Sequence, residues 1–501
     1  MESPSITIEN YDKRGTDLLE SIKSDFLGLQ TEYATVDGKL SRRVYLDSTA
    51  STLIMGPAYR AATKFLSHYS NTHSLMHFSA KISTKTYDWV HSRVLEFVGA
   101  DPNIYTCFFT GSGVTAGMNR IARCMKNFNP DKDTVLVSLM EHHSNDLPHR
   151  KHGGNVFHIP LDQADSRLGS IDLDNLEKYF IKFKNKINYV AVTGISNVTG
   201  IINPINEVAK IAHRYGAYII VDAAQLAAHV PIKMYGHQDS DHNIDALLFS
   251  GHKTYAPGSP GAVIVRKDIM ESMEPEEVGG GMVDRVFPES YIVSSQFPDR
   301  EEAGTPNIFG AILLGASIEI LDRIGMENIL AEDKQITNYA LENMLKLTGL
   351  IVYGSSNISR APRAGTISFN ILGMNHGLVA AILNDYFNIA VRNECFCAHP
   401  YVEKMLETTH LDQMIQTKEI SSKWNAEPWM GMVRASFGIY TTKRDIDYFI
   451  SALSEICINK EHFSNQYILK ESGDYVHKTF DFSCHDYFTL SETVLNEVKK
   501  K

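Results

Sequence analysis

The 501-residue chain has no apolar run long enough to span a bilayer: its longest runs, such as 308–316, fall far short of the roughly 18 residues a spanning helix needs. Its first ten residues are polar and lack the apolar heart of a secretion signal. An excess of positive charge is also missing. With 48 Lys+Arg against 59 Asp+Glu the formal charge is −11, and no polybasic patch stands out, so neither nucleic acid nor an anionic membrane surface is an expected partner. Cysteine is scarce. Six residues (Cys107, Cys124, Cys395, Cys397, Cys457, Cys484) are too few for a disulfide scaffold in a chain of this size, so reduced thiols and a cytoplasmic location are expected. There is no internal repeat and no low-complexity linker.

What remains is an ordinary enzyme composition, 43% hydrophobic and 21% charged. Leu18, Ile22 and Phe26 recur four apart behind Thr16, which predicts an amphipathic helix over 16–27 capped by that threonine. From residue 44 short apolar runs alternate with helical patterns: VYL at 44, YTCFF at 105, TVLVSL at 134, NVFHI at 155, NYVAVTG at 188, AYIIVD at 217, DALLFS at 245 and GAVIVR at 261. Runs without apolar/polar alternation, separated by helix-length segments, predict a mostly parallel sheet covered on both faces, hence an α/β domain. Beyond 288–306, rich in Pro, Ser and Glu, a long helical stretch at 308–348 leads to weaker strands (LIVYG, GTISFNI) and further helices. The expected division is an N-terminal segment with its helix (1–43), a large α/β domain (44–307), a smaller α+β domain (308–462) and an extension (463–501) that reads as a hairpin and a helix.

Two strand ends carry chemistry. Asp222 closes AYIIVD and is followed by Gln225, and Ser250-Gly-His252-Lys253 closes DALLFS. Open α/β sheets bind ligands at the carboxyl ends of their strands. A lysine there can form a Schiff base with a carbonyl cofactor, and pyridoxal phosphate also needs a carboxylate to keep its ring nitrogen protonated. The glycine-rich turn from Thr110 to Gly117 follows a strand and opens a helix, so its N–H groups could cradle a phosphate; it lacks a P-loop lysine, and its glycine spacing departs from the dinucleotide fingerprint.

Taken together, YLDSTAS (45–51), GVTAGMN (113–119), MEHHSN (140–145), SNVTG (196–200), VDAAQ (221–225), FSGHKTYAPGSPG (249–261), EEAGTPN (301–307), AVRNECFCAHP (390–400) and VRASFGIYTT (433–442) resemble the class-V aminotransferase fold. Within it they are nearest the cysteine desulfurase and selenocysteine lyase group of SUF type. The resemblance implies a fold-type-I pyridoxal 5′-phosphate enzyme with a seven-stranded large-domain sheet, acting as a homodimer on an amino-acid substrate and passing sulfur to an acceptor protein. It makes Lys253 the cofactor lysine, Asp222 the partner of the pyridine nitrogen, Gln225 the neighbour of the ring hydroxyl and His142 the ring that stacks on the cofactor. Thr115, Ser250 and His252 become the phosphate holders, Val114 and Asn197 further cofactor contacts, and Thr305 reaches the phosphate of the neighbouring subunit. Arg434 becomes the grip on the substrate carboxylate with Asn197 on the same side, and Cys397 the sulfur-accepting nucleophile. Of His73 and His77, His77 is the better match to a histidine near the substrate.

Where the chain departs from the family, Cys395 and Phe396 stand at positions usually held by histidine, and 402–428 reads as an insertion that bears on partner choice and access. Gly279-Gly-Gly281 reads equally as an active-site loop or a plain one. No metal is expected: adjacent His142 and His143 point apart on regular elements, and Cys395-x-Cys397-x-His399 is poor tetrahedral geometry. Other reactions on the same cofactor remain open at this point, namely a selenocysteine lyase, a C–S lyase, an aminotransferase or an epimerase. A turnover-free relay subunit is disfavoured by the intact Lys253 and Asp222.

Overall fold

The computed structural model describes residues 13–162, 169–359, 361–417 and 431–500. The polar segment 1–10 and the 418–428 part of the insertion lie outside these residues. Helix α1 (Gly15–Ile22) buries Leu19 and Ile22, but it begins after Arg14 rather than behind Thr16 and stops four residues short of Phe26. The chain turns because the Asp25 carbonyl accepts the Gly56 N–H at 2.8 Å, which leaves Phe26 to bridge to Met55 and bury itself as an isolated anchor.

The large sheet holds seven strands: β1 (Tyr105–Thr110), β2 (Thr134–Ser138), β3 (Asn155–Ile159), β4 (Ile187–Thr193), β5 (Tyr218–Asp222), β6 (Ala246–Ser250) and β7 (Gly261–Arg266), in the order β1-β7-β6-β5-β4-β2-β3. Only β7 runs antiparallel to its neighbours. Every residue of β2, β4 and β6 is buried, the mark of strands covered on both faces, as the unalternating runs predict. Helix α2 (Phe78–Phe97) lies on one side, and α3 (Gly113–Phe128) packs so tightly on the other that a Cβ at Gly117 would stand 2.5 Å from Leu248. The VYL run at 44 is not part of this sheet. Val44–Tyr45 pairs in parallel with Ile389–Ala390, and Val44 packs into the second core.

The helical stretch at 308–348 is two helices, α4 (Ile308–Ile324) and α5 (Met326–Met344), separated at Gly325, whose φ of 84° is left-handed and suits a residue without a Cβ. Helix α4 belongs to the core of the large sheet; along α5, Ile329 still packs there, whereas Ile336 packs with the second core. That core lies under an antiparallel sheet of β8 (Leu350–Val352), β9 (Thr366–Ile371), β10 (Arg392–Glu394) and β11 (Met432–Ser436), in the order β8-β9-β11-β10. Helices α6 (His376–Phe387) and α8 (Lys443–Ile458) cover it, and α7 (His399–Thr417) leads out from the segment after β10. The tail forms a hairpin (Tyr467–Leu469 with Tyr475–His477) and helix α9 (Leu490–Lys499). Tyr487 fastens the tail to the N-terminal segment by accepting the Ala34 N–H at 2.9 Å.

Candidate active site

A cavity of about 270 Å³ opens at the carboxyl ends of the large-sheet strands, where the small domain closes over them. Register explains its floor: Gly261 pairs with both Thr110 and Ser250, so the end of β1, the end of β6 and the start of β7 fall in one row. The turn before α3 is pressed against this row. Gly113 has φ 61°, and a Cβ there would meet Ser250 Oγ at 2.5 Å. The Val114 N–H donates to that Oγ at 3.0 Å, and Thr115 Oγ1 lies 2.7 Å from Ser144 Oγ. Ser112, Val114 and Thr115 thus present the positive end of a 16-residue helix to the cavity.

Asp222, at the end of β5, is buried and accepts the Ala224 N–H at 2.9 Å through one oxygen; among the described residues the other oxygen receives no hydrogen bond. Burial raises its pKa, with the Ala224 amide and Lys253 pulling the other way. Lys253, one turn past β6, makes no hydrogen bond among the described residues and is shifted toward the neutral amine, by burial first. Gln225 donates to the Thr49 carbonyl at 2.8 Å. His142 accepts the Ser144 N–H at 3.0 Å, and burial, reinforced by Lys253, pushes its pKa down to about 3. His252 is held down at about 4 for the same two reasons.

The other wall comes from the small domain. Arg434 on β11 is buried, donates from Nη1 to the Asn197 carbonyl at 3.0 Å and from Nη2 to Asp47 at 3.3 Å, and lies 4.7 Å over the Phe396 ring. Its Nε is buried without a partner. Burial draws its pKa down to about 10 against the pull of Asp47. Asn197 donates to the Phe396 carbonyl at 2.8 Å. Cys397 is exposed at the cavity wall with φ 56°, directly after Phe396 at 51°; two consecutive side-chain-bearing residues in the left-handed region cost on the order of 1 kcal/mol each. Cys395 is buried, and burial pushes its thiol up to about 11.

Val114, Thr115, His142, Asn197, Asp222, Gln225, Ser250, His252, Lys253, Cys397 and Arg434 therefore line one cavity. Thr305 and His77 do not. Thr305 is exposed, accepts from Asn71 Nδ2 at 3.3 Å and faces a separate cleft. His77 is exposed at the start of α2, where its Nδ1 caps the helix by accepting the Ala80 N–H, and it is not among the residues that line the cavity. The glycines at 279–281 lie against His73 and Ala303, away from the cavity. Sequence reasoning missed Arg392, an exposed guanidinium of the cavity wall that sits opposite Arg434 across the β10–β11 pair and makes no hydrogen bond among the described residues. It also missed Asp47 and the contact of His143 with His399, all set by pairings remote in sequence.

The model of the class-V aminotransferase family matches residues 44–449. The chain belongs to that family. It is similar to a probable cysteine desulfurase of Halalkalibacterium halodurans, 34% identical over 430 residues covering 84% of this chain and 94% of the relative. A cysteine desulfurase of Escherichia coli is 30% identical over 444 residues, 87% of this chain and 98% of the relative. Among solved structures, the apo cysteine desulfurase of Thermococcus onnurineus NA1 superposes with a TM-score of 0.71 at 29% identity, over 83% of this chain and 95% of that one. The E. coli cysteine desulfurase CsdA gives 0.69 at 26% identity, over 87% and 98%.

Class-V aminotransferases of this kind are pyridoxal 5′-phosphate enzymes, and so is this protein. The cavity fits the cofactor. The start of α3, pressed against Ser250 at Gly113, presents hydroxyls and helix amides suited to a phosphate, while an unpaired amine and a carboxylate with a free oxygen stand ready for the aldehyde and the ring nitrogen.

Proposed function

We propose that the protein is a cysteine desulfurase, converting L-cysteine to L-alanine and retaining the sulfur as a persulfide on Cys397. The observation that carries this reading is an exposed thiol on the wall of the cavity that also holds the unpaired Lys253 amine and the unpaired Arg434 Nε. Bound pyridoxal 5′-phosphate supplies an electron sink for the substrate α-carbon. Val114, Thr115, Ser250 and His252 would hold its phosphate, with Asp222 and Gln225 at the ring edge and His142 on its face.

Arg434 grips the substrate carboxylate. Its Nη1 is committed to Asn197, so Nε and the loosely held Nη2 form the fork that a carboxylate accepts in parallel. Asn197 and the Arg392 guanidinium border the same space. Lys253 Nζ, favoured as a free amine by burial, takes up and returns the proton at the substrate α-carbon. The Cys397 thiolate then forms an S–S bond to the substrate sulfur as the carbon–sulfur bond breaks. The electron pair of that bond passes to the carbon skeleton, which takes up a proton and leaves as alanine. The sum is cysteine plus enzyme thiol giving alanine plus enzyme persulfide.

Two features support a homodimer. Met76 and Phe78 are 89% and 85% exposed beside His77, an apolar surface uncommon on a monomer. Thr305 and His77, exposed and outside the lining of their own cavity, are placed to complete the neighbour's across a two-fold axis. The six cysteines, none of them in a disulfide, accord with the cytoplasm, and among the described residues no helix is long and apolar enough to cross a membrane. A sulfur-acceptor protein would collect the persulfide from the exposed Cys397. Release of alanine and sulfide, measured with a dithiol reductant present to reduce the persulfide, across cysteine, selenocysteine and bulkier thioethers, tests the assignment: cysteine should be turned over with equimolar alanine, and turnover confined to thioethers would overturn it.

A further inference from the structure

Cys397 sits on a backbone that its own sequence disfavours, since Glu394, Phe396 and Cys397 all have positive φ, at 92°, 51° and 56°. The surrounding protein must hold it there. The segment is tied to the large domain at successive points: Asn197 Nδ2 donates to the Phe396 carbonyl at 2.8 Å, the His143 N–H donates to the Cys397 carbonyl at 2.7 Å, and Tyr401 Oη lies 3.1 Å from Thr199 Oγ1. Between the last two comes a pairing of side chains. His399 Nδ1 lies 3.1 Å from His143 Nε2, with the rings 7° from parallel and their centroids 5.0 Å apart. One residue, His143, therefore holds the segment twice, by its backbone at Cys397 and by its ring two residues later.

The ties made by Asn197 and Tyr401 are buried, and Tyr401 sits in an apolar cluster with Met140 and Val198. The imidazole pair is an exposed tie, and His399 stands two residues after Cys397. His143 follows His142, which lines the cofactor cavity, so the pair links the position of the thiol to the loop that forms the cavity wall. We infer that the hydrogen-bonded pair His143–His399 is a positioning clasp that fixes the Cys397 thiol over the cavity for sulfur transfer. The inference rests on the desulfurase reading for its functional consequence. A shift of about 1 Å in a reacting group can cost on the order of a hundredfold in rate, so loss of one anchor beside the nucleophile should appear in the chemical step and not in substrate capture, which uses Arg434.

The test compares the cofactor-loaded protein with H399A, H143A, H399N and the double variant H143A/H399A. In H399A, persulfide formation on Cys397 should slow by about tenfold or more, while KM for cysteine stays within about twofold. H399N, whose side-chain amide can donate or accept near the position of Nδ1, should recover most of the rate. Because both singles break the same contact, the double variant should be no slower than the worse single. Amide hydrogen exchange of the peptide 394–402 provides a readout independent of turnover: it should accelerate in H399A and return toward the original in H399N. Unchanged exchange and unchanged rate in H399A would overturn the clasp, as would losses that multiply in the double variant or equal damage in H399N. If the unaltered protein forms no persulfide while exchange responds as stated, the desulfurase reading fails and the clasp stands as a structural one.

Discussion

Arg434 is a charge kept almost wholly out of water, with one tie to a backbone carbonyl, a long tie to Asp47 and one nitrogen unpaired. A buried donor left unpaired is costly unless something arrives to use it. Arg434→Ala should therefore raise KM for cysteine by a loss of about 2 to 5 kcal/mol in kcat/KM, with little effect on cofactor retention; steady-state kinetics beside a cofactor titration checks both. The thiols differ just as sharply. Burial first, then Glu403 and Glu394, holds Cys395 at about 11, so it stays protonated and inert through neutral pH and gains reactivity only as the pH climbs toward that value. Iodoacetamide at pH 8, followed by peptide mapping, should label the exposed Cys397 and Cys484 and spare Cys395, Cys107 and Cys124. Much of this site was legible in short motifs because those carrying Val114, Thr115, Asp222, Ser250 and Lys253 sit at a helix start or strand end. Arg392, Asp47 and the His143–His399 contact were not, since they arise from β-register and domain closure between segments far apart in the chain.

At the scale of elements, the decisive unit is β1, its glycine turn and α3. Gly113 combines a left-handed φ with a wall 2.5 Å from where a Cβ would be, so Gly113→Ala must both strain the backbone and push Ser250 out of the cradle. Cofactor affinity should fall by about tenfold or more and stability by on the order of 1 to 3 kcal/mol, read by fluorescence titration and thermal melting. The strands were readable because unbroken apolar runs need cover on both faces. The break in the 308–348 helix could be seen only as a lone Gly325, and the fate of VYL at 44 could not be seen, because two residues hold too little pattern to say which sheet they join. The early end of α1 has a similar cause: the carbonyl of Asp25 is claimed by Gly56, a contact no local periodicity reports.

At the scale of the whole molecule, the two sides of the cavity are joined by an apolar cluster that packs Met140 and Val198 against Phe396 and Tyr401, and by polar contacts: Arg434 to the Asn197 carbonyl, Asn197 to the Phe396 carbonyl, and Ser368 to the Val198 carbonyl. This joins Arg434 and the Cys397 segment, the proposed substrate grip and nucleophile, to the wall that carries Asn197 and His142. Light scattering should return twice the chain mass, and replacing Phe78 with aspartate should lower that mass together with activity, since the apolar face beside Thr305 and His77 would be lost. The account as a whole stands on the fate of one sulfur atom. Cofactor-loaded protein mixed with a single equivalent of cysteine and analysed by peptide mass spectrometry should show one added sulfur on Cys397 and one alanine released, with both absent in Cys397→Ser although cysteine still shifts its visible spectrum; full release of alanine and sulfide by Cys397→Ser would contradict it.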